Sequence, residues 1–186
     1  NVLSLKISGP INGTDINYLH ELMPYLEDLD LKDAQIVAGG EDYYRYSFSN
    51  NVATKNTSDH WQTQNNIVGQ YMFYNMPNLK RLLLPNGVTE IEQYGVASTY
   101  TGTSYTKLQY VELPASLTTI GNYAFCNDNS LTQADIPSGV TSIGQYAFYY
   151  TAITEATIPA GVTSIGNYTF YYCQSLKTVS LPDGLT

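Results

Sequence analysis

Charge is scarce in this chain. Only 13% of its 186 residues are charged, and 8 Lys and Arg stand against 16 Asp and Glu, a formal net charge of −8. Without clustered basic residues the chain lacks what nucleic-acid phosphates select and what anionic membrane surfaces reward. Histidine and cysteine number 2 each, too few and too scattered for a zinc signature. No apolar run reaches the length of a membrane span. No basic segment followed by an apolar stretch opens the chain, so any secretion signal is expected to have been removed already. Nucleic acid, membrane insertion by this segment, metals and cofactors are therefore not expected.

Apolar and aromatic residues are plentiful by contrast. Hydrophobic residues make up 43%, and 18 tyrosines account for most of the 13% aromatic content. That is enough to form a core, with tyrosine suited to both its edge and a binding face.

The apolar residues recur with a fixed period, which decides the fold before any local propensity does. The segments Leu79–Pro85, Leu108–Pro114, Leu131–Pro137, Ile153–Pro159 and Leu176–Pro182 share one pattern, and their prolines are 29, 23, 22 and 23 residues apart. After the proline comes a second block: Val88–Tyr94, Leu117–Phe125, Val140–Phe148 and Val162–Phe170, with an earlier partial copy at Gly69–Phe73. At the N-terminus, Val2, Leu5 and Ile7 have the spacing of Leu26, Leu29 and Leu31, 24 residues later. Each Leu-x-x-Leu-x-Leu segment predicts a short strand with its apolar side chains inward. Successive strands then stack in parallel about 4.8 Å apart. Proline ends each strand because it cannot donate to a ladder. Ile91, Ile120, Ile143 and Ile165, and separately Phe73, Phe125, Phe148 and Phe170, are expected to form ladders down the interior. Asp15–Met23 reads as a helix capped by Thr14 or Asp15, and strand–helix–strand at this spacing implies a right-handed crossover.

The fold expected is a right-handed solenoid, mainly β, with short parallel strands and one N-terminal helix. Residues 1–66 form a capping unit that includes a long inserted loop at Ala38–Asn66, which could alternatively hide a degenerate coil. Residues 67–186 carry the regular repeats, in one continuous solenoid. A smaller insertion is expected at Val96–Lys107. The pattern stops part-way through a coil, which reads as a segment of something longer.

The consensus Leu-x-x-Val-x-Leu-Pro-x-Gly-Val-Thr-Ser-Ile-Gly-x-Tyr-Ala-Phe over Val68–Thr186 resembles the BspA-type leucine-rich repeats of surface proteins from anaerobic gut and oral bacteria. Leu5–Gly9, the helix and Leu29–Leu31 resemble the unit that often precedes such repeats. The resemblance implies a leucine-rich-repeat solenoid, a secreted or cell-surface location, and adhesion to, or recognition of, host or microbial partners. It carries no catalytic residues. Family repeats commonly place Cys three residues after the Phe; Cys173 fits, whereas Asp128 and Met76 hold the equivalent positions.

Candidate chemistry is sparse. Cys126 and Cys173 are two coils apart, about 10 Å by strand spacing, beyond the reach of a disulfide. Ser58-Asp59-His60 superficially suggests a catalytic set, but three consecutive loop residues do not make a triad, which is assembled by geometry. His20 is expected on the exposed side of the helix and His60 in the long loop. Three matches to the glycosylation acceptor pattern, at Asn12, Asn56 and Asn167, read as coincidence in a Thr-rich sequence.

Candidate partner-binding residues fall in two places. The outward strand rows are Lys6, Asp30, Leu83, Glu112, Asp135, Thr157 and Ser180, and Ser4, Asp28, Arg81, Tyr110, Gln133, Glu155 and Thr178. From these, Asp30, Arg81, Tyr110, Glu112, Asp135 and Glu155 are the binding candidates, and they give the face an acidic tilt. The second place is the cluster Tyr149, Tyr150, Tyr171 and Tyr172, just after successive Phe residues. The function expected is a non-catalytic protein-interaction or adhesion module whose partner is a host or microbial surface protein. The alternatives are a glycan-binding segment using the tyrosines, or a passive spacer.

Overall fold

Side chains two apart on a strand share a face, so each Leu-x-x-Leu-x-Leu segment buries one edge of a coil and hands the next coil a backbone to pair with. In the computed structural model, which describes residues 2–49, 52–98 and 107–186, the coils build a mainly-β solenoid of about seven turns, with a single helix among the described residues. Most of the Val96–Lys107 insertion, residues 99–106, lies outside the described set.

The chain begins with β1 (Ser4–Ile11), α1 (Gly13–Leu22) and β2 (Asp28–Ile36). Asn12 caps the helix, not Thr14 or Asp15. Its side chain accepts from the Thr14 amide at 3.0 Å, while the Asp15 carboxylate accepts from the Asn12 amide at 2.9 Å. This reciprocal pair satisfies two of the amides that a helix start leaves open, and it places the cap two residues ahead of Thr14 and three ahead of Asp15. Strands β1 and β2 pair in parallel, with a register shift between Lys6 and Ser8.

Residues Ala38–Asn66 were expected as a loop. They instead hold two long antiparallel strands, β3 (Gly39–Ser49) and β4 (Val52–Thr63). The pairing shifts register between Tyr44 and Arg45, so Tyr43 and Tyr46, three residues apart, are both buried. That break in the two-residue alternation hid the strands. The pair packs on α1: the Tyr46 hydroxyl is 3.0 Å from Asn17 Oδ1 and 2.7 Å from Glu21 Oε1. His20, expected on the exposed side of the helix, is 1% exposed. It stacks on Tyr46 with centroids 4.7 Å apart, and its Nε2 lies 2.9 Å from the Met72 carbonyl. The two strands cover the side of the helix that would otherwise face water. Burial lowers the His20 pKa to about 4.

Then come β5 (Ile67–Val68), β6 (Arg81–Leu83), β7 (Glu90–Ile91), β8 (Tyr110–Glu112), β9 (Thr119–Ile120), β10 (Ser142–Ile143), β11 (Glu155–Thr157) and β12 (Thr178–Ser180). One parallel sheet runs β1-β2-β6-β8, and a second runs β10-β9-β7-β5. The first places Ser4, Asp28, Arg81 and Tyr110 in register, as the repeat alignment requires. A bridge from Tyr110 to Gln133 continues that row, and β11 pairs with β12 beyond it. Leu29, Leu82 and Val111 from the first sheet, and Val68, Ile91 and Ile120 from the second, are buried against each other.

A third side closes each coil through the Phe turns. Amides and carbonyls there bond from coil to coil, for example Phe73 N to Gly95 O at 2.8 Å and Phe125 N to Ala147 O at 2.8 Å. The expected phenylalanine ladder forms over three of its four members: Phe125, Phe148 and Phe170 stack at 5.2 and 5.6 Å, whereas Val96 holds the position between Phe73 and Phe125. Gly144 sits at a close approach of two coils, where a Cβ would lie 2.6 Å from the Asn122 amide nitrogen.

A tyrosine-lined groove as candidate recognition site

Of the expected binding residues, Asp30, Arg81, Tyr110 and Glu112 do share one sheet face. Most of that face is internally paired. Arg81 bonds Asp28 at 3.1 Å, Lys6 approaches Asp30 at 3.8 Å and Asp33 at 2.7 Å, and Lys32 bonds Glu112 at 2.6 Å. The Lys32–Glu112 bridge crosses β6, where Leu83, expected to face outward, is 2% exposed. The acidic tilt is therefore largely neutralised within the sheet. Asp135 accepts from Gln133 at 3.0 Å, and no ion pair to Asp135 or Glu155 occurs among the described residues.

The Phe-turn side is organised around tyrosine. In every copy of Gly-x-Tyr-x-Phe and its variants, the Tyr takes a left-handed backbone conformation: φ is 60° at Tyr71, 58° at Tyr94 and Tyr123, 55° at Tyr146 and 60° at Tyr168. Such a φ is unfavourable for a residue with a large side chain. Here it turns the chain between the inward Ile and the inward Phe, leaving the Tyr ring outside. Stacking on the neighbouring rings offsets the backbone cost. Successive centroids are 5.1, 4.9, 4.9 and 5.0 Å apart, with planes within 20° of parallel. Trp61 of β4 lies 4.9 Å from Tyr71 and extends the row. This ladder was not among the expected sites. Its sequence signal is a Tyr two residues before the Phe of each turn, in the same segments that carry the Ile and Phe ladders.

Three residues past each ladder tyrosine comes a second row: Tyr74, Ala97, Cys126, Tyr149 and Tyr171. The row is held in line by bonds such as Ser98 N to Cys126 O at 2.9 Å and Asn127 N to Tyr149 O at 2.9 Å. Where the row narrows to Ala97, which is fully buried, and to Cys126, a groove lined by Cys126 opens. It encloses about 450 Å³, walled by ladder tyrosines and ended by Tyr74 and Tyr149, with Arg45, Ser98 and Asn127 on its rim. Arg45 is paired with Asp59 at 2.6 Å and lies 5.5 Å from the Tyr71 ring centroid. The volume is within the range of small-ligand sites.

The expected tyrosine cluster is brought together at the far end of this groove. Tyr149 lies 6.0 Å from Tyr171 and Tyr150 lies 6.1 Å from Tyr172, while Tyr171 and Tyr172 meet edge to face at 4.7 Å. A second cleft of about 410 Å³ opens among Asn127, Tyr149, Tyr150, Tyr172 and Gln174. It shares Asn127 and Tyr149 with the first.

The other sequence candidates are not brought together. Asp59 pairs with Arg45, whereas His60 Nδ1 pairs with Asp42 at 2.8 Å, and His60 lies on a strand, not in a loop. Cys126 and Cys173 are both free thiols. Burial pushes the Cys126 pKa up to about 12, and it raises that of Cys173 as well.

Comparison with known proteins decides the family. The pattern of the BspA type Leucine rich repeat region matches in 6 copies over residues 27–104 and 101–186. The chain belongs to the BspA-type leucine-rich-repeat family. The match begins at residue 27, upstream of the Val68 start expected from the consensus, so β2, β3 and β4 fall inside it. Among solved structures, a leucine-rich repeat protein from Bacteroides ovatus is similar at 25% identity and a TM-score of 0.59, covering 80% of this chain and 42% of that one. A leucine rich cell surface protein from Faecalibacterium prausnitzii shares the fold at 15% identity and a TM-score of 0.55, covering 96% and 48%. This BspA-type chain thus spans less than half the length of either. There is no significant match among curated proteins. No described helix is long and apolar enough to cross a membrane.

Proposed function

We propose that this BspA-type chain is a non-catalytic recognition segment of a bacterial outer-surface protein, used for adhesion to host or microbial surfaces, and that it grips through its tyrosine side. The groove bounded by Tyr74 and Tyr149 carries this reading. Tyr, Ser and Asn are the residues that binding loops use for large contact area and adaptable hydrogen bonding at low entropic cost, and here a rigid solenoid holds them in place. The surface location rests on family membership and on the similar fold of the Faecalibacterium prausnitzii cell surface protein.

A second reading puts a basic protein partner on the strand face near Asp135 and Glu155, the carboxylates of that face that its own cations leave uncompensated. A binding screen against extracellular-matrix proteins and a glycan array separates the two. Loss of binding in Tyr149→Ala/Tyr171→Ala, with Tyr110→Ala/Glu112→Ala unaffected, is the expected result. The reverse pattern transfers the function to the sheet. Silence across both panels leaves a passive spacer as the better description.

A further inference from the structure

We propose that the groove over Ala97 and Cys126 is a binding site for a short neutral oligosaccharide. This rests on the tyrosine-side reading above and names the chemistry it would recognise.

Three observations favour a sugar over a peptide. First, the backbone beneath the groove is already bonded coil to coil, at Asn75 N to Ala97 O (3.0 Å) and Val96 N to Ala124 O (3.1 Å) as well as at Ser98 and Asn127. An extended peptide would find no ladder to join, and only the wall phenols could replace the water its amides lose. A sugar needs no ladder. Its hydroxyls donate and accept, and so do the phenols of the walls, whereas the Ser98 hydroxyl is already given to Asp128 at 2.8 Å and the Asn127 side-chain amide to the Ser98 carbonyl at 3.1 Å. Second, the lining is almost uncharged. Among the described residues that line it the one cation is Arg45, which is held by Asp59 at 2.6 Å, so it does not stand ready for a carboxylate or a sulfate. Third, the rings divide into two kinds. Ladder rings are stacked face to face at about 5 Å, so they present edges and hydroxyls, repeated once per coil. Tyr149 instead meets its neighbours at centroid distances of 5.6 to 6.1 Å, tilted or edge-on in three of four cases. Tyr149, outside the face-to-face ladder, is the ring placed to meet the apolar side of a pyranose. A regularly repeated wall of hydroxyls suits a ligand that is itself a chain of repeated units.

The repeat suggests the variants, because sibling coils carry the substituted residue at the same position. Tyrosine occupies the row position of Cys126 in three other coils, at Tyr74, Tyr149 and Tyr171, so Cys126→Tyr fills the groove with a residue the turn accepts. Ala97 occupies the position of Tyr149, so Tyr149→Ala removes the ring face without disturbing the turn.

The experiment uses the 186-residue chain on an array of neutral, sialylated and sulfated oligosaccharides, followed by titration calorimetry with the strongest neutral hit. Circular dichroism of each variant serves as the folding control, and Tyr110→Ala/Glu112→Ala as the face control. The expected result is a neutral hit that weakens at least tenfold in both Cys126→Tyr and Tyr149→Ala and is unchanged in the face control. Should Cys126→Tyr fail to fold, Tyr149→Ala and Ala97→Tyr carry the decision. The proposal is overturned by no neutral hit at millimolar concentration, by hits confined to charged glycans, or by a neutral hit indifferent to the groove variants. Binding only to a protein, lost with the groove variants, overturns the sugar but keeps the tyrosine-side reading. Binding to a protein that is lost only with the face control overturns both.

Discussion

Replacing Phe148 by alanine removes a ring that is 1% exposed and stacked on both sides, by Phe125 at 5.2 Å and Phe170 at 5.6 Å. Burial of a Phe side chain contributes about 1.5–3 kcal/mol, and Phe→Ala in a core costs about 3–5 kcal/mol once the cavity is included. The upper part of that range is expected here because the neighbouring coils cannot close the gap. Their spacing is fixed by backbone bonds on either side, Phe125 N to Ala147 O at 2.8 Å and Phe148 N to Thr169 O at 3.0 Å. Phe170, half-buried and stacked on one described ring, provides the internal standard, and Phe170→Ala should cost about half as much. Urea unfolding followed by circular dichroism measures both. In a solenoid the coils contribute separately and to their neighbours, so Phe148→Ala should also broaden the transition by weakening the link between adjacent coils. A loss under about 1 kcal/mol for Phe148→Ala, or a larger loss for Phe170→Ala, would refute the stacked-core account.

Further predictions concern the backbone, acid and the thiols. Gly144→Ala should destabilise by the upper end of about 1–3 kcal/mol, since its Cβ would meet backbone at 2.6 Å, whereas Gly184→Ala, with nothing within 4 Å, should be near neutral; thermal melts of the pair test this. Tyr172→Asn should change stability by no more than about 0.5 kcal/mol, because Asn75 and Asn127 hold the same left-handed turn position in sibling coils. His20 is buried neutral with its pKa lowered to about 4 from 6.5, so the unfolded chain binds the extra proton first. Its contribution is fully present above about pH 6.5 and is lost as pH falls toward 4, with a ceiling of about 3 kcal/mol. His20→Leu should flatten that part of a stability–pH profile, and an unchanged slope counts against a buried neutral imidazole. Cys126, buried with its pKa raised to about 12, should react with a thiol reagent at neutral pH only as the chain unfolds.

The strand rows were legible in the sequence because spacing alone fixes them: Leu29, Leu82 and Val111 had to face inward, and that put Asp28, Arg81 and Tyr110 in one outward line. The worth of that line was not legible. Lys32 reaches Glu112 across an intervening strand, and no local pattern shows a contact 80 residues apart. Likewise the Gly-, Asn-, Ser- and Thr-rich composition of residues 38–66 points to a loop, and the register shift of the β3–β4 pair at Tyr44 and Arg45 leaves no clean alternation to counter it. His20 falls on the polar side of the helix pattern, and the strands that bury it lie outside that pattern. The tyrosine ladder depends on left-handed φ values and on coil-to-coil stacking, and neither is written in a linear motif. The groove is subtler still. It exists because Ala97 and Cys126 are small where their sibling residues are tyrosines, a difference with meaning only once the coils are superimposed.

The central claim is that recognition happens on the tyrosine side of the solenoid. Hydroxyl-radical footprinting with and without the strongest binder from the array tests it most directly, because tyrosines report from both faces. The account predicts protection of Tyr94, Tyr123 and Tyr149 with Tyr110 unchanged. Protection of Tyr110 with the groove tyrosines unchanged would contradict it.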